Sequence, residues 1–168
     1  ACAPPAERPA PLPTPTIGSA APSPSLTPPS PGPLVSEYSP AGATAFVQYY
    51  FDVYNYAQLT GNTSQLAALS SAGCKSCQQY LVGIADDWSA GKSVTGGSIV
   101  LTNAGTPEFT PGVTEVTSFA TYTVSVMEQR DSVGTVVRRS SGGSGRLAAT
   151  LQRHPNGWQM LEVRLEKR

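Results

Sequence analysis

The chain reads as an α+β fold, helices first and antiparallel strands afterwards, and three features predict it. Apolar residues recur at spacings of three and four between Ala43 and Ala57. Alternation with a period of two begins only after Ser98. The segments Arg146–His154 and Trp158–Glu166 flank the turn Pro155-Asn156-Gly157, the strongest hairpin signal in the chain. Segregated helices and strands make an α+β domain, whereas a parallel sheet would need them interleaved. A disordered proline-rich stalk precedes this body: 12 of the 16 prolines fall before residue 34. That leaves about 130 residues, enough for one core.

The first two residues, Ala1-Cys2, match the last positions of a lipobox, in which a small residue precedes a cysteine that becomes lipidated. We therefore expect residues 1–2 to be the remnant of a lipobox, with Cys2 as the lipidation site and a leader removed ahead of it. Cysteine arithmetic agrees: Cys74 and Cys77 can pair with each other, leaving Cys2 as the odd thiol of an exported chain. Two acyl chains on one residue meet the requirement for stable membrane attachment.

Residues 3–38 are Pro, Ala, Ser and Thr with only Glu7, Arg8 and Glu37 charged, too few apolar groups to bury a face. The expectation is an extended polyproline II linker. Residues 39–168 then form the single domain.

Ser39-Pro40 supplies an N-cap and a first helical position, and Ala43, Phe46, Val47, Tyr50, Phe51, Tyr54 and Ala57 define an amphipathic helix ending at Gly61. Asn62-Thr63-Ser64-Gln65 resembles a capping box ahead of a short helix through Leu66 and Leu69. A third helix is expected from Cys74 through Leu81, Ile84 and Trp88 to Gly91. Strands follow at Ser98–Thr102, Val113–Met127, Thr135–Arg139, Arg146–His154 and Trp158–Glu166, with Gly142-Gly143-Ser144-Gly145 as a flexible connection.

This order resembles a family of actinobacterial lipoproteins of uncharacterised function. Their folded part has the nuclear transport factor 2-like cone, shared with SnoaL and ketosteroid isomerase-like proteins. The resemblance rests on Pro40-Ala41-Gly42-Ala43 to Phe46-Val47, Asn55-Tyr56-Ala57 to Gly61, and Leu69-Ser70 before Cys74-Lys75-Ser76-Cys77. It also rests on Gly96-Gly97 before a strand and on Trp158 in the terminal strand. It implies helices packed into the concave face of a curved antiparallel sheet, a cone-like α+β barrel, and an extracytoplasmic address. It implies no reaction. Eight arginines against three lysines fit a GC-rich bacterial genome.

Zero formal charge with 13% charged residues removes the long-range field that draws a basic chain to nucleic acid. One histidine and no cofactor motif leave no metal site or cofactor to expect, and no catalytic residue is assigned. Cys74 and Cys77, at i and i+3 near a helix start, have the spacing of a structural disulfide. The same spacing serves a redox pair, where a helix N-terminus stabilises a thiolate, though no strand precedes it as in a thioredoxin-like setting. His154 at the hairpin turn has no nucleophile elbow to serve. Tyr49, Asp52 and Tyr56, at i−3, i and i+4, form the candidate pocket or partner surface, with Asp52 either a proton-transfer group or a solvated helix residue. Arg138, Arg139, Arg146, Arg153, Arg164, Lys167 and Arg168 are expected on the sheet face away from the core, available to anionic envelope polymer.

The reading is a lipid-anchored extracytoplasmic binding or accessory module on the outer face of the bacterial cell membrane. Its partners would be the membrane through Cys2 and a small apolar ligand or envelope protein. A small isomerase or dehydratase-like pocket enzyme and a thiol-disulfide oxidoreductase are the alternatives.

Overall fold

The computed structural model describes residues 26–167. Helix α1 spans Pro40–Thr60, α2 Ser64–Leu69 and α3 Lys75–Ser89. The strands are β1 (Ser93–Gly96), β2 (Ile99–Gly105), β3 (Glu115–Val124), β4 (Met127–Arg130), β5 (Val136–Ser140), β6 (Gly143–His154) and β7 (Gly157–Lys167). Helices precede antiparallel strands, as the periodicity predicts.

α1 begins where Ser39 Oγ accepts the Gly42 amide at 3.0 Å, with Pro40 in the first turn, and it stops at Gly61 with φ at 73°. An added Cβ at Gly61 would come within 2.6 Å of the Trp88 ring, so both backbone and packing require glycine there. The capping box expected at Asn62–Gln65 does not form. Thr63, the N-cap of α2, makes no side-chain cap; Asn62 Oδ1 accepts the Ser64 amide instead, and the Gln65 amide nitrogen donates to the Tyr49 hydroxyl and to the Pro29 carbonyl. Tertiary partners outcompete the local motif.

The strands make a four-stranded sheet, β2-β3-β6-β7, and a three-stranded one, β1-β4-β5, antiparallel throughout. β1 runs on into β2, β3 into β4 and β5 into β6, so three ribbons bend at a common corner. Glycine makes the corner possible. A Cβ on Gly96 would lie 1.9 Å from the Val126 carbonyl oxygen, and one on Gly142 would lie 2.3 Å from that of Val124. The segment Val113–Met127, expected as one strand, is therefore two strands in different sheets, parted at Ser125-Val126. Gly143-Ser144-Gly145, expected as part of a flexible connection, opens β6 and pairs with Val124, Thr123 and Tyr122. β1, with Val94 as its one large apolar residue, carries too little pattern to be read in advance.

The large sheet turns Val116, Ala120 and Tyr122 of β3, Leu147, Ala149 and Leu151 of β6, and Trp158, Met160 and Val163 of β7 to the helices. α1 supplies the other half of the core with Phe46, Val47, Tyr50, Phe51 and Val53. Burial pushes the Tyr50 hydroxyl up to about 12, although it shares a hydrogen bond with Ser70 Oγ at 3.1 Å.

Cys74 and Cys77 form a disulfide with Cα atoms 5.2 Å apart, and both residues are buried. The bridge closes a strap over the edge of β7. Ser71 N–H donates to the Met160 carbonyl at 2.9 Å, and Val163 N–H donates to Ser76 Oγ at 3.0 Å, so backbone groups that an open edge would expose are engaged.

The structure sets part of the expected linker against the domain. Trp158 Nε1 donates to the Glu37 carbonyl at 2.8 Å, and Arg153 donates to that of Ser36 at 3.0 Å. The Arg153 guanidinium lies over the Tyr38 and Trp158 rings, 5.3 and 5.6 Å from their centroids; Phe109 packs on Tyr38, whose hydroxyl donates to the Val113 carbonyl. This clasp and the Gln65–Pro29 contact carry the body upstream of Ser39, because its partners come from β6, β7 and the β2–β3 connection. Cys2 and the first 25 residues lie outside the described residues.

Candidate functional site

A cleft of about 170 Å³ opens between α1, α3 and the small sheet. α3 buries only Cys77 and Ile84 and packs on β7 more than on the small sheet, which leaves this space. Tyr54 and Gln58 reach it from successive turns of α1. Gln79, Tyr80, Gly83, Ile84, Asp87 and Trp88 reach it from one face of α3. Across the small sheet, Val94, Gln129 and Arg138 stand in one register row, one residue per strand, and Met127 joins them two residues from Gln129.

The polar groups of the cleft divide into engaged and unengaged sets. Asp87 is engaged on both oxygens: Oδ1 takes Lys92 Nζ at 2.9 Å and Oδ2 takes Gln129 Nε2 at 2.6 Å. The rings of Tyr54 and Tyr80 meet edge-on with centroids 5.0 Å apart. Burial raises the hydroxyl of Tyr80 strongly, with neighbouring tyrosines adding to it; burial raises Tyr54 as well, partly offset by the Arg138 guanidinium. Both phenols therefore stay protonated, and neither is bonded to another protein group among the described residues. Arg138 makes no ion pair among them either, while Arg130 and Arg139 both hold Glu128 at 3.0 Å.

Tyr49, Asp52 and Tyr56 are not drawn into one pocket. Tyr49 is buried against Gln65 and lines a groove with Pro31, Phe46 and Trp158, on another side of the molecule. Asp52 is exposed, its carboxyl raised by partial desolvation, and Tyr56 is half-buried. The helix phase explains this: positions i−3, i and i+4 share a stripe, but that stripe runs along the margin of the buried face set by Phe46, Val47, Tyr50, Val53 and Ala57, with Asp52 pointing away from it. The residues that face the cleft, Tyr54 and Gln58, lie on the opposite side of α1 from this stripe. A signal existed in Tyr54 and Tyr80, each in phase with its helix's apolar face, but their meeting needed tertiary structure.

The basic residues also separate. Adjacent positions on a strand point to opposite faces, so Arg138 faces the cleft while Arg139 faces Glu128 outside. Arg146 and Arg164 lie together on the outer face of the large sheet, and Arg153 serves the clasp. His154 is exposed at the hairpin turn. The buried sulfurs of Cys74 and Cys77 offer no exposed atom for thiol exchange, unlike the accessible pair an oxidoreductase needs.

A family model matches residues 21–164. The chain belongs to DUF6318, a family of unknown function. No curated protein matches. Among solved structures, the chain shares its fold with the intermembrane space region of chloroplast protein ARC6, at TM-score 0.56 and 11% identity, over 75% of this chain and 95% of that one. It is similar, at TM-score 0.45 and 13% identity, to a putative dehydratase from the NTF2-like family of Streptomyces avermitilis, over 73% of this chain and 94% of that one.

Proposed function

We propose that this DUF6318 member is a lipid-anchored, extracytoplasmic binding module of an actinobacterial cell envelope, which takes a small ligand into the cleft between α1, α3 and the small sheet. One observation carries the binding reading: the cleft's carboxylate is already spanned by Lys92 and Gln129, while its unengaged groups are two phenols, two glutamines and a guanidinium. Such a set recognises a ligand by hydrogen bonding and offers no free acid–base pair of the kind an isomerase or dehydratase needs. A disulfide in the domain supports an oxidising compartment, and the Ala1-Cys2 pair supports lipid attachment.

Two measurements test it. In cells producing the full precursor, Cys2→Ser should shift the protein from the membrane to the soluble or secreted fraction; unchanged membrane retention rules out the anchor. For the cleft, phenol, benzamide and benzoate are titrated against the isotope-labelled soluble chain and followed by amide and indole NMR signals. Shifts should map to Tyr80, Trp88 and Gln129. Gly83→Leu, placed where an added Cβ meets nothing within 4 Å, should fill the opening and suppress them. No cleft shift from any of the three probes would overturn the binding reading.

A further inference from the structure

We infer that the ligand of this cleft is a small carboxylate carried on a flat ring, its carboxyl group seated on Arg138 with the hydroxyls of Tyr54 and Tyr80. The inference rests on the binding reading above and adds to it the chemical class of the ligand.

The cleft leaves one guanidinium unpaired among the described residues. Among the described residues four side-chain ion pairs form, Lys92–Asp87, Arg130–Glu128, Arg139–Glu128 and Arg164–Glu162. Arg138 is in none of them. Its strand neighbour Arg139 takes Glu128 on the far side of the small sheet, a carboxylate that strand alternation keeps from Arg138. The one carboxylate in the cleft, Asp87, is held by Lys92 and Gln129. A guanidinium without an anion thus lines the same cleft as two phenols, close enough to Tyr54 to act on its hydroxyl, and all three are hydrogen-bond donors. Donors in surplus, with the fixed negative charge already neutralised, select an anion. The planar fork of arginine matches a carboxylate in two parallel hydrogen bonds.

The remainder of the lining sets the body of the ligand. Tyr54, Tyr80, Trp88, Ile84, Val94 and Met127 supply aromatic and apolar walls. A volume of about 170 Å³ is close to the roughly 150 Å³ cavity that accommodates one benzene ring, so the cleft has room for a single ring. Such a ligand is apolar over its ring and anionic at one end, where the sequence suggested a small apolar ligand or an envelope protein.

The test uses the same chain of residues 1–168 with benzoate and benzamide, two probes of nearly equal shape that differ in charge. Both should shift the cleft signals, with benzoate bound about tenfold or more tightly, the scale of a charge-assisted hydrogen bond over a neutral one. Arg138→Gln should abolish the preference while benzamide still binds, and Arg138→Lys should preserve a preference for benzoate. Equal affinities in the unmodified protein, or a preference that survives Arg138→Gln, would overturn the carboxylate assignment and leave the cleft a neutral-ligand site. Absence of cleft shifts with either probe would instead remove the binding reading on which it rests.

Discussion

Replacing both bridging cysteines, Cys74→Ala with Cys77→Ala, separates a structural strap from a redox centre. Closing a four-residue ring restricts the unfolded chain by about 1.9 kcal/mol at 25 °C in the chain-entropy account. Both residues are fully buried, so deleting each sulfur removes roughly another 0.8 kcal/mol, the scale of a buried methylene. Cys74 Sγ also accepts the Cys77 amide at 3.2 Å at the start of α3, a cap worth about 0.5 kcal/mol or more. The expected loss is about 4 kcal/mol, which a domain with typical stability survives. Equilibrium urea unfolding should show a lower midpoint with little change in slope. Hydrogen exchange should quicken first at Ser71 and Val163, whose amides tie the strap to β7. The intact protein should keep its bridge in millimolar glutathione without denaturant, because no sulfur atom is accessible to a thiolate. A stability loss under about 1 kcal/mol, or ready reduction of the folded protein, would refute the reasoning and return the pair to thiol chemistry.

Other outcomes follow from particular contacts. Limited proteolysis should leave a resistant core that begins before Leu34, and Trp158→Ala should expose the 34–38 segment to cleavage while costing about 3–5 kcal/mol, measurable by thermal unfolding. Asn55 donates to the Ile99 carbonyl at 2.8 Å and accepts the Ile99 amide at 2.9 Å, so Asn55→Ala should destabilise by about 1–3 kcal/mol and loosen the start of β2, read by urea unfolding and amide exchange. Asp52 has its carboxyl raised by desolvation, so the folded state holds that proton more tightly than the unfolded chain, and stability declines as pH climbs from the ordinary carboxyl value of 3.8 through the folded value. Asp52→Asn should therefore raise the melting midpoint slightly at pH 7 and leave it unchanged well below 3.8; the effect is small because the group is largely solvated.

Much of the order was legible in the chain. The start and stop of α1 follow from Ser39-Pro40 and Gly61, residues that impose their geometry without help from elsewhere. The β6–β7 hairpin follows from a turn set between two alternating segments, and the Cys74–Cys77 bridge from a spacing of three on a helix start. Each of these is local: the residues that decide it are within a few positions of one another. The candidate site was not local. Strand alternation grouped Arg138 with the other basic residues on the face away from the core, and only the pairing of β5 with β4 puts it in a row with Gln129 and Val94. Asp87 was a carboxylate among several until Lys92 and Gln129 closed on it.

The sequence by itself determined the three helices and the segments of most strands, where α1 begins and ends, and that two cysteines sit close enough to bridge. Tertiary structure alone decided that one long alternating segment bends into two sheets at a glycine corner, that residues 29–38 lie on the body, and that a cleft opens beside α3 rather than beside Asp52. The physical reason is the range of the interactions. Caps, turns and periodicity act over one or two turns of chain, whereas the corner depends on Gly96, Val124, Val126 and Gly142 passing within contact of one another. The cleft likewise exists because side chains from α1, α3 and all three strands of the small sheet stop short of filling the space between them.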